Sequence, residues 1–168
     1  VFGSFSSPGK VFALNIDGSD VPGFPMDFDK VQKGAALYDF NGNGKDDIVV
    51  GTDDDKVYLV YDDGSIANGF PFIAGDKFRS APIVVDFGGD KVIIACSKDG
   101  FVYAINQDGT LQFSFECDDD LYTSPTFLNT DAGGLIFASS DNGTIYAINS
   151  NGDIHDGFPI YNDGAIPG

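Results

Sequence analysis

The residues best suited to chemistry lie in one acidic loop, Asp39–Asp47, whose oxygen-bearing side chains recur at a fixed spacing. Side chains at the first, third, fifth and ninth positions can point inward, and the backbone carbonyl at the seventh can join them. A glycine at the sixth position allows the sharp turn that such a loop needs. The pattern predicts a calcium site formed by Asp39, Asn41, Asn43, the Lys45 carbonyl and Asp47.

The segments on either side decide the kind of calcium loop. Ala35–Tyr38 precedes it and Ile48–Val50 follows it, and both are short apolar runs without the 3.6-residue period of a helix. An EF-hand has a bidentate Glu at its twelfth position, where this chain has Val50. We therefore expect a strand–loop–strand site, with modest affinity because two ligands are Asn. An acidic turn without an ion is the alternative.

The composition indicates an all-β protein that avoids anionic partners. The 168 residues carry a net charge of −17, and Glu116 is the only Glu. Asp and the 22 glycines favour turns, and the 16 phenylalanines favour short strands. The negative charge disfavours nucleic acid and anionic membranes, and no run approaches the ~18 apolar residues of a membrane span. Cys96 and Cys117 fit neither a disulfide framework nor a zinc site.

The chain repeats itself about every 45 residues. An apolar strand pattern that ends in an Asp-Gly or Asn-Gly pair returns in four aligned segments: Lys10–Ser19, Lys56–Ser65, Phe101–Thr110 and Thr144–Asp153. Each segment has an aromatic residue at its third position, namely Phe12, Tyr58, Tyr103 and Tyr146. We expect these side chains to pack between repeats. A Gly-Phe-Pro element follows the first, second and fourth segments, whereas the third is followed by Phe113 and Phe115.

Each unit reads as four short strands. In the second unit they are Gly34–Asp39, Asp47–Thr52, Lys56–Tyr61 and Ser65–Phe72, and the last unit ends in Asp153–Ile160. Four antiparallel strands per repeat are typical of a β-propeller blade, and neighbouring blades must stack to bury both faces. The sequence predicts one all-β region, a β-propeller of four-stranded antiparallel blades at residues 1–32 (incomplete), 33–78, 79–122 and 123–163.

The two ends leave the ring open to two interpretations. The first unit begins in its second strand, and residues 164–168 resemble the start of a further inner strand. Either this tail closes a four-bladed ring, or the chain is an arc of a larger propeller. We favour the arc, because a closing strand of five residues with a Pro near its end pairs poorly. Without an initiator Met, the chain looks like a mature product or a fragment.

The second unit resembles an FG-GAP or VCBS repeat of bacterial or archaeal secreted and surface proteins, with an integrin-α-like calcium loop. The likeness rests on the small residues from Gly34, the loop Asp39–Asp47, the strand Ile48–Gly51 and the Gly-Phe-Pro element. It implies an extracellular or cell-surface propeller in which calcium stiffens blades and exposed faces bind partners. The matching loops Asp86–Asp90 and Asn129–Gly133 are too short or have lost ligands.

Catalysis is not expected. The acidic triads Asp53–Asp55 and Asp118–Asp120 fall in connections, where Asp forms turns, and the sole His, His155, has no nucleophile-and-base arrangement around it. The Val-Tyr-Ala-Ile-Asn strands also resemble, more weakly, quinoprotein (PQQ-like) blades. Those blades usually dock through Trp, which this chain lacks.

A partner site would lie where the connectors between blades and the loops between second and third strands emerge on one face. We expect Lys77, Phe78, Arg79, Asp119 and Tyr122 there, beside Asp53, Lys98 and Asp141. Arg next to aromatic residues often anchors interfaces.

The expected function is therefore binding or adhesion of a protein or glycan by a calcium-binding propeller. A quinoprotein-like enzyme and an accessory domain of a secreted hydrolase are the alternatives.

Overall fold

Strands are the only regular secondary structure longer than a turn in the described part of the chain. The computed structural model describes residues 1–89, 91–131, 133–162 and 164, and no helix occurs among them. The fifteen strands are β1 (Phe2–Gly3), β2 (Gly9–Phe12), β3 (Met26–Phe28), β4 (Ala36–Tyr38), β5 (Asp47–Gly51), β6 (Lys56–Val60), β7 (Phe72–Ile73), β8 (Ile83–Asp86), β9 (Lys91–Cys96), β10 (Phe101–Asn106), β11 (Leu111–Glu116), β12 (Thr126–Thr130), β13 (Gly133–Ser139), β14 (Thr144–Asn149) and β15 (Ile160–Tyr161).

The strands form four antiparallel sheets, numbered 1 to 4 in chain order. Sheet 1 contains β1 to β3, sheet 2 contains β4 to β7, sheet 3 contains β8 to β11 and sheet 4 contains β12 to β15. Within each sheet the strands lie side by side in sequence order, and each connection joins two antiparallel neighbours. The all-β prediction is confirmed, and each repeat unit forms one sheet. The inner strand proposed for 164–168 lies outside the described residues, apart from Gly164.

In the two middle units the third strand is buried on both faces, because a sheet stacks on either side of it. In β6, Val57 and Leu59 belong to the core shared with sheet 3, whereas Val60 belongs to the core shared with sheet 1. This alternation follows from the two-residue period of a strand. Three clusters of buried apolar residues therefore join the sheets in pairs, 1 with 2, 2 with 3, and 3 with 4.

Three of the four aromatic markers pack between sheets, as their spacing predicted. Each of these three rings meets a phenylalanine from the last strand of the preceding sheet: Phe28 with Tyr58 at 4.7 Å, Phe72 with Tyr103 at 5.1 Å, and Phe115 with Tyr146 at 5.4 Å. The edge-on and tilted geometries are those that aromatic rings prefer. The first marker, Phe12, instead stacks on Phe2 of its own sheet at 4.9 Å.

The outer strands are shorter than predicted in two units. In sheet 2 the predicted strand Ser65–Phe72 is reduced to an isolated bridge at Ile66 and the pair Phe72–Ile73. In sheet 4, Ile154 and Ile160–Tyr161 show the same pattern. The Gly-Phe-Pro element interrupts both strands, since its glycine turns with a positive φ. The third unit lacks this element, and its outer strand is continuous.

The same element brings neighbouring sheets into close backbone contact. Gly69 of sheet 2 has a φ of +86° and lies against the hairpin Asp108–Gly109 of sheet 3. A side-chain carbon at Gly69 would lie 1.8 Å from the Asp108 carbonyl oxygen, so only glycine fits. Gly23 and the hairpin Asp63–Gly64 make the equivalent contact between sheets 1 and 2.

Candidate metal site

Two paired strands close the neck of the loop Asp39–Asp47. β4 and β5 run antiparallel, with Tyr38 opposite Asp47 at the end of the ladder. The chain therefore leaves β4 at Asp39 and re-enters β5 at Asp47. This register brings the first and ninth positions of the loop to the same edge of sheet 2.

The Asp39 carboxylate organises the loop backbone. Its Oδ1 accepts hydrogen bonds from the amide of Gly42 at 2.7 Å and from that of Asn43 at 3.1 Å. Its Oδ2 accepts one from the amide of Gly44 at 2.8 Å. The loop is thus wound around one negative group. The curvature is possible because Gly42 and Gly44 both adopt positive φ.

Asp47 is a fully buried carboxylate at the neck. It accepts hydrogen bonds from the Phe40 amide at 2.9 Å, the Asp62 amide at 3.1 Å and Asn41 Nδ2 at 3.2 Å. Burial raises its pKa above the ordinary value, and the nearby charge of Asp39 adds to this effect while the backbone donors oppose it. An ionised Asp47 beside Asp39 is therefore electrostatically costly, and a bound cation would relieve that cost.

The amide side chains and the lysine of the loop complete the arrangement. Asn41 Oδ1 accepts from the Asn43 amide at 3.0 Å, and Asn43 Oδ1 accepts from the Lys45 amide at 2.8 Å. The Lys45 ammonium pairs with Asp62 at 2.7 Å. Asp62 also accepts from Asn43 Nδ2 at 2.7 Å. The lysine of the loop is thus engaged by Asp62.

The donor set fits a hard cation. No group of three or more His, Cys, Asp or Glu side chains is placed to hold a metal in the part of the chain that the structure describes. The predicted ligands include only two carboxylates, Asp39 and Asp47, and the other donors are amide and backbone oxygens, which calcium accepts. Each carboxylate oxygen can accept more than one bond, so the internal hydrogen bonds leave lone pairs for an ion. The metal ligands stay a prediction.

In the corresponding loop of sheet 3, a lysine pairs with the first aspartate. Asp86 accepts hydrogen bonds from the amides of Gly88 and Gly89 and pairs with Lys91, which faces it across the β8–β9 ladder. The Lys91 bond and the two backbone donors lower the pKa of Asp86 to about 2. Lys91 thus supplies a positive charge beside Asp86.

The connectors and loops expected on one face do meet there. Backbone bonds join each connector to a loop of the next sheet: Asp53 to Lys30 at 3.0 Å, Lys98 to Lys77 at 2.9 Å, and Asp141 to Asp120 at 2.9 Å. A cavity of about 320 Å³ opens on this face, lined by Gln32, Lys33, Arg79, Tyr122 and Asp141. We call this surface the connector face.

Two charged contacts hold the connector face together. One residue predicted on this face, Phe78, does not lie there. Arg79 forms a fork with Asp53, Nε to Oδ1 and Nη2 to Oδ2 both at 3.1 Å. Lys98 pairs with Asp120 at 3.2 Å and lies 5.3 Å from the Tyr122 ring centre. Phe78, however, is 1% exposed and packs in the core between sheets 2 and 3. Its apolar side chain is stabilised by burial, so it offers no surface to a partner.

The acidic triads have structural partners. Asp118 accepts hydrogen bonds from Tyr146 at 2.6 Å, Ser140 at 2.8 Å and Thr144 at 2.8 Å, and so ties sheet 3 to sheet 4. Burial acts to raise the pKa of Asp118, but these bonds outweigh it and hold the pKa far below the ordinary value. A carboxylate held in this way stays ionised and is a poor proton donor.

The cysteines are free thiols, and both are buried. Burial raises the pKa of Cys117 to about 12, with a contribution from the Asp118 charge. Neither thiol is poised as a nucleophile.

Sequence reasoning overlooked Asp62, Gln32 and Lys33. Asp62 directly precedes the hairpin Asp63–Gly64, yet its amide and carboxylate both reach residues of the loop Asp39–Asp47. A clue exists, since Asp62 follows a strand paired with β5 and so ends beside Asp47. Gln32 binds Asp53 at 2.8 Å and 3.0 Å.

Comparisons with known proteins identify the fold. No family model and no curated protein matches the chain. It is similar to BBS1N, which is a β-propeller, in the crystal structure of BBS1N in complex with ARL6DN. The TM-score is 0.63, with 10% identity over 92% of this chain and 53% of that chain. It is also similar to the computationally designed Ika8 protein, with a TM-score of 0.65 and 17% identity over 98% of this chain and 46% of that chain.

These matches show a β-propeller-like fold. The chain spans about half the length of the solved structures that it matches. Helices that could cross a bilayer are absent from the described ranges.

Proposed function

We propose that this chain is a four-bladed arc of a β-propeller that binds calcium in the loop Asp39–Asp47 and works outside the cell as a non-catalytic binding or adhesion module. One observation carries the calcium assignment. A fully buried Asp47 with a raised pKa lies beside Asp39 at the loop neck, while Lys45 is engaged by Asp62. The sheet 3 equivalent, by contrast, carries its own lysine.

The ion has a structural role. Asp39 holds the loop backbone, and Asp47 binds the amides on either side of the neck, including that of Asp62 after β6. A cation between the two carboxylates would link the β4–β5 connection to the end of β6. It would thereby stiffen the edge of sheet 2. Nothing in the donor set suggests a reaction at the metal.

The affinity that we expect suits an extracellular location. Two of the side-chain ligands are neutral amides, so the site has less negative charge than a cytosolic sensor loop. Extracellular calcium modules work with dissociation constants of about 10⁻⁴–10⁻³ M. Such a site fills where calcium is in the millimolar range.

The connector face is the surface that we assign to a partner. Its cavity combines Lys33 and Tyr122 with the chain's only Arg, Arg79. Tyr and Arg are enriched at protein interfaces, and an aromatic ring beside polar groups also suits a sugar. A protein or glycan ligand is therefore the class that the face fits.

Calorimetric titration with calcium tests the metal assignment. At pH 7 we expect one site per chain with a dissociation constant of about 10⁻⁴–10⁻³ M. The affinity should fall as the pH is lowered toward the raised pKa of Asp47, because protons then compete with calcium for its carboxylate. Heat of binding that is absent at pH 7, or an affinity that does not fall as the pH is lowered into the range in which Asp carboxylates take up protons, would contradict the assignment.

Binding on the connector face can be tested with immobilised glycans and extracellular matrix proteins. We expect a ligand found for the wild type to be lost with Lys33→Ala and with Tyr122→Ala. It should be retained with Lys10→Ala, because Lys10 lies in β2 and pairs with Asp27 instead. Unchanged binding by both cavity variants would place the partner elsewhere.

A further inference from the structure

The same two-sided contact joins sheet 1 to sheet 2 and sheet 2 to sheet 3. The glycine of a Gly-Phe-Pro element in one sheet meets the Asp-Gly hairpin of the next. A side-chain carbon at Gly23 would lie 2.1 Å from the Asp63 carbonyl oxygen, and one at Gly109 would lie 2.2 Å from the Gly69 carbonyl oxygen. We call the glycine of the Gly-Phe-Pro element the socket and the Asp-Gly turn that it meets the hairpin. Both halves exclude any side chain, so the contact needs glycine on both sides.

One socket and one hairpin have no partner within the described residues. Gly157 in sheet 4 belongs to a Gly-Phe-Pro element and has a φ of +90°, as the sockets do, but no described atom lies within 4 Å of its side-chain position. Gly18 in sheet 1 belongs to an Asp-Gly hairpin with a φ of +84° and is equally open. The last sheet thus carries an empty socket, and the first carries an unused hairpin.

The first sheet also exposes apolar residues whose equivalents are buried. Leu14 is 43% exposed, whereas Val60 and Ile148, which form the same isolated bridge in sheets 2 and 4, are 0% exposed. Phe2 is paired with Phe12 and is 51% exposed, whereas Val50, paired with Tyr58, is 0% exposed. We call Phe2, Phe12, Leu14 and the hairpin at Gly18 the leading face.

The fourth sheet is exposed on its opposite side. Phe137, which pairs with Ala147, is the equivalent of Ile94 in sheet 3, which pairs with Ala104. Ile94 is 0% exposed, whereas Phe137 is partly exposed. Leu135 and Ile145 are also partly exposed, and Phe158 packs on Phe137 with ring centres 5.8 Å apart. We call Leu135, Phe137, Ile145, Phe158 and the socket at Gly157 the trailing face.

We propose that two copies of this chain associate head to tail, with the leading face of each on the trailing face of the other. The occupant is a second copy because one chain carries both halves of the contact that already joins its own sheets. A head-to-tail contact closes when the rotation per copy completes a circle. The chain matches 46% and 53% of the solved propeller-like chains, so two such arcs account for about one ring. This inference rests on the fold and is independent of calcium.

Sedimentation velocity over a range of concentrations tests it. The wild type should form a dimer, more readily at moderate salt because each copy carries a net charge of −17. Gly157→Ala and Gly18→Ala should each weaken dimerisation about tenfold or more, since the added carbon would overlap partner backbone. Gly88→Ala is the matched control, because Gly88 has a φ of +98° with open space but lies on neither face.

Mixing the two variants sharpens the test. A mixture of Gly157→Ala and Gly18→Ala retains one contact between an intact socket and an intact hairpin, so it should associate more tightly than either variant alone. A wild type that stays monomeric overturns the proposal. So does a dimer that is weakened by only one of the two changes, because that result indicates a symmetric face-to-face contact.

Discussion

Replacing Gly69 by alanine is expected to lower the free energy of unfolding by about 2–5 kcal/mol. A left-handed φ costs an alanine about 1–2 kcal/mol, and Gly69 has a φ of +86°. The added carbon would also lie 1.8 Å from the Asp108 carbonyl oxygen and 2.7 Å from its carbon. Because both atoms are backbone, sheets 2 and 3 must separate to accommodate it. Urea denaturation monitored by circular dichroism measures the change.

Gly88→Ala separates the two contributions. Its φ of +98° imposes the same conformational cost, but no described atom lies within 4 Å of the new carbon. We expect this control to lose only about 1–2 kcal/mol. Equal losses for Gly69→Ala and Gly88→Ala would show that the close approach of sheets 2 and 3 contributes nothing to stability.

Replacing Asp47 by alanine is expected to cost about 2–3 kcal/mol even in the presence of a chelator. The change leaves the amides of Phe40 and Asp62 without their acceptor, and each unsatisfied buried donor costs about 1–3 kcal/mol. Loss of a buried charge beside Asp39 offsets part of this cost. For a chain of this size the midpoint of thermal unfolding should fall by about 4–12 °C.

Asp46→Ala is the matched control for this change. Asp46 is the neighbouring acid of the same loop, but it is exposed. An exposed residue without partners changes stability by about 0.5 kcal/mol or less. If Asp46→Ala and Asp47→Ala destabilise the protein equally, the neck of the loop is not organised by Asp47.

The repeat made most of the fold predictable. Val57–Val60 is a continuous apolar run, which is typical of a strand buried on both faces, and in the structure its side chains alternate between the cores shared with sheet 3 and with sheet 1. The outer strands were less predictable, because Ser65–Phe72 has strand-forming residues yet is interrupted at Gly69. Nothing local to that segment shows that its glycine faces the hairpin of another sheet.

The candidate site was predictable only where its residues are adjacent in sequence. The spacing from Asp39 to Asp47 describes a loop that closes on itself, so its ligands could be proposed directly. Asp62 reaches the loop only because β6 pairs with β5, which is a tertiary relation. Phe78 was assigned to the surface with Arg79, but adjacent residues of an extended connector point in opposite directions. Phe78 therefore lies in the core and Arg79 faces Asp53.

The most direct test of a calcium-stabilised propeller is thermal unfolding of the wild type, Asp39→Asn and Asp86→Asn in about 5 mM calcium and in chelator. With a dissociation constant of about 10⁻⁴–10⁻³ M, calcium should stabilise the wild type by about 1–2 kcal/mol and raise its midpoint by about 2–8 °C. Asp39→Asn should lose this response, whereas Asp86→Asn should keep it, because Asp86 is already paired with Lys91. A wild-type midpoint that is the same in calcium and chelator would contradict the calcium site.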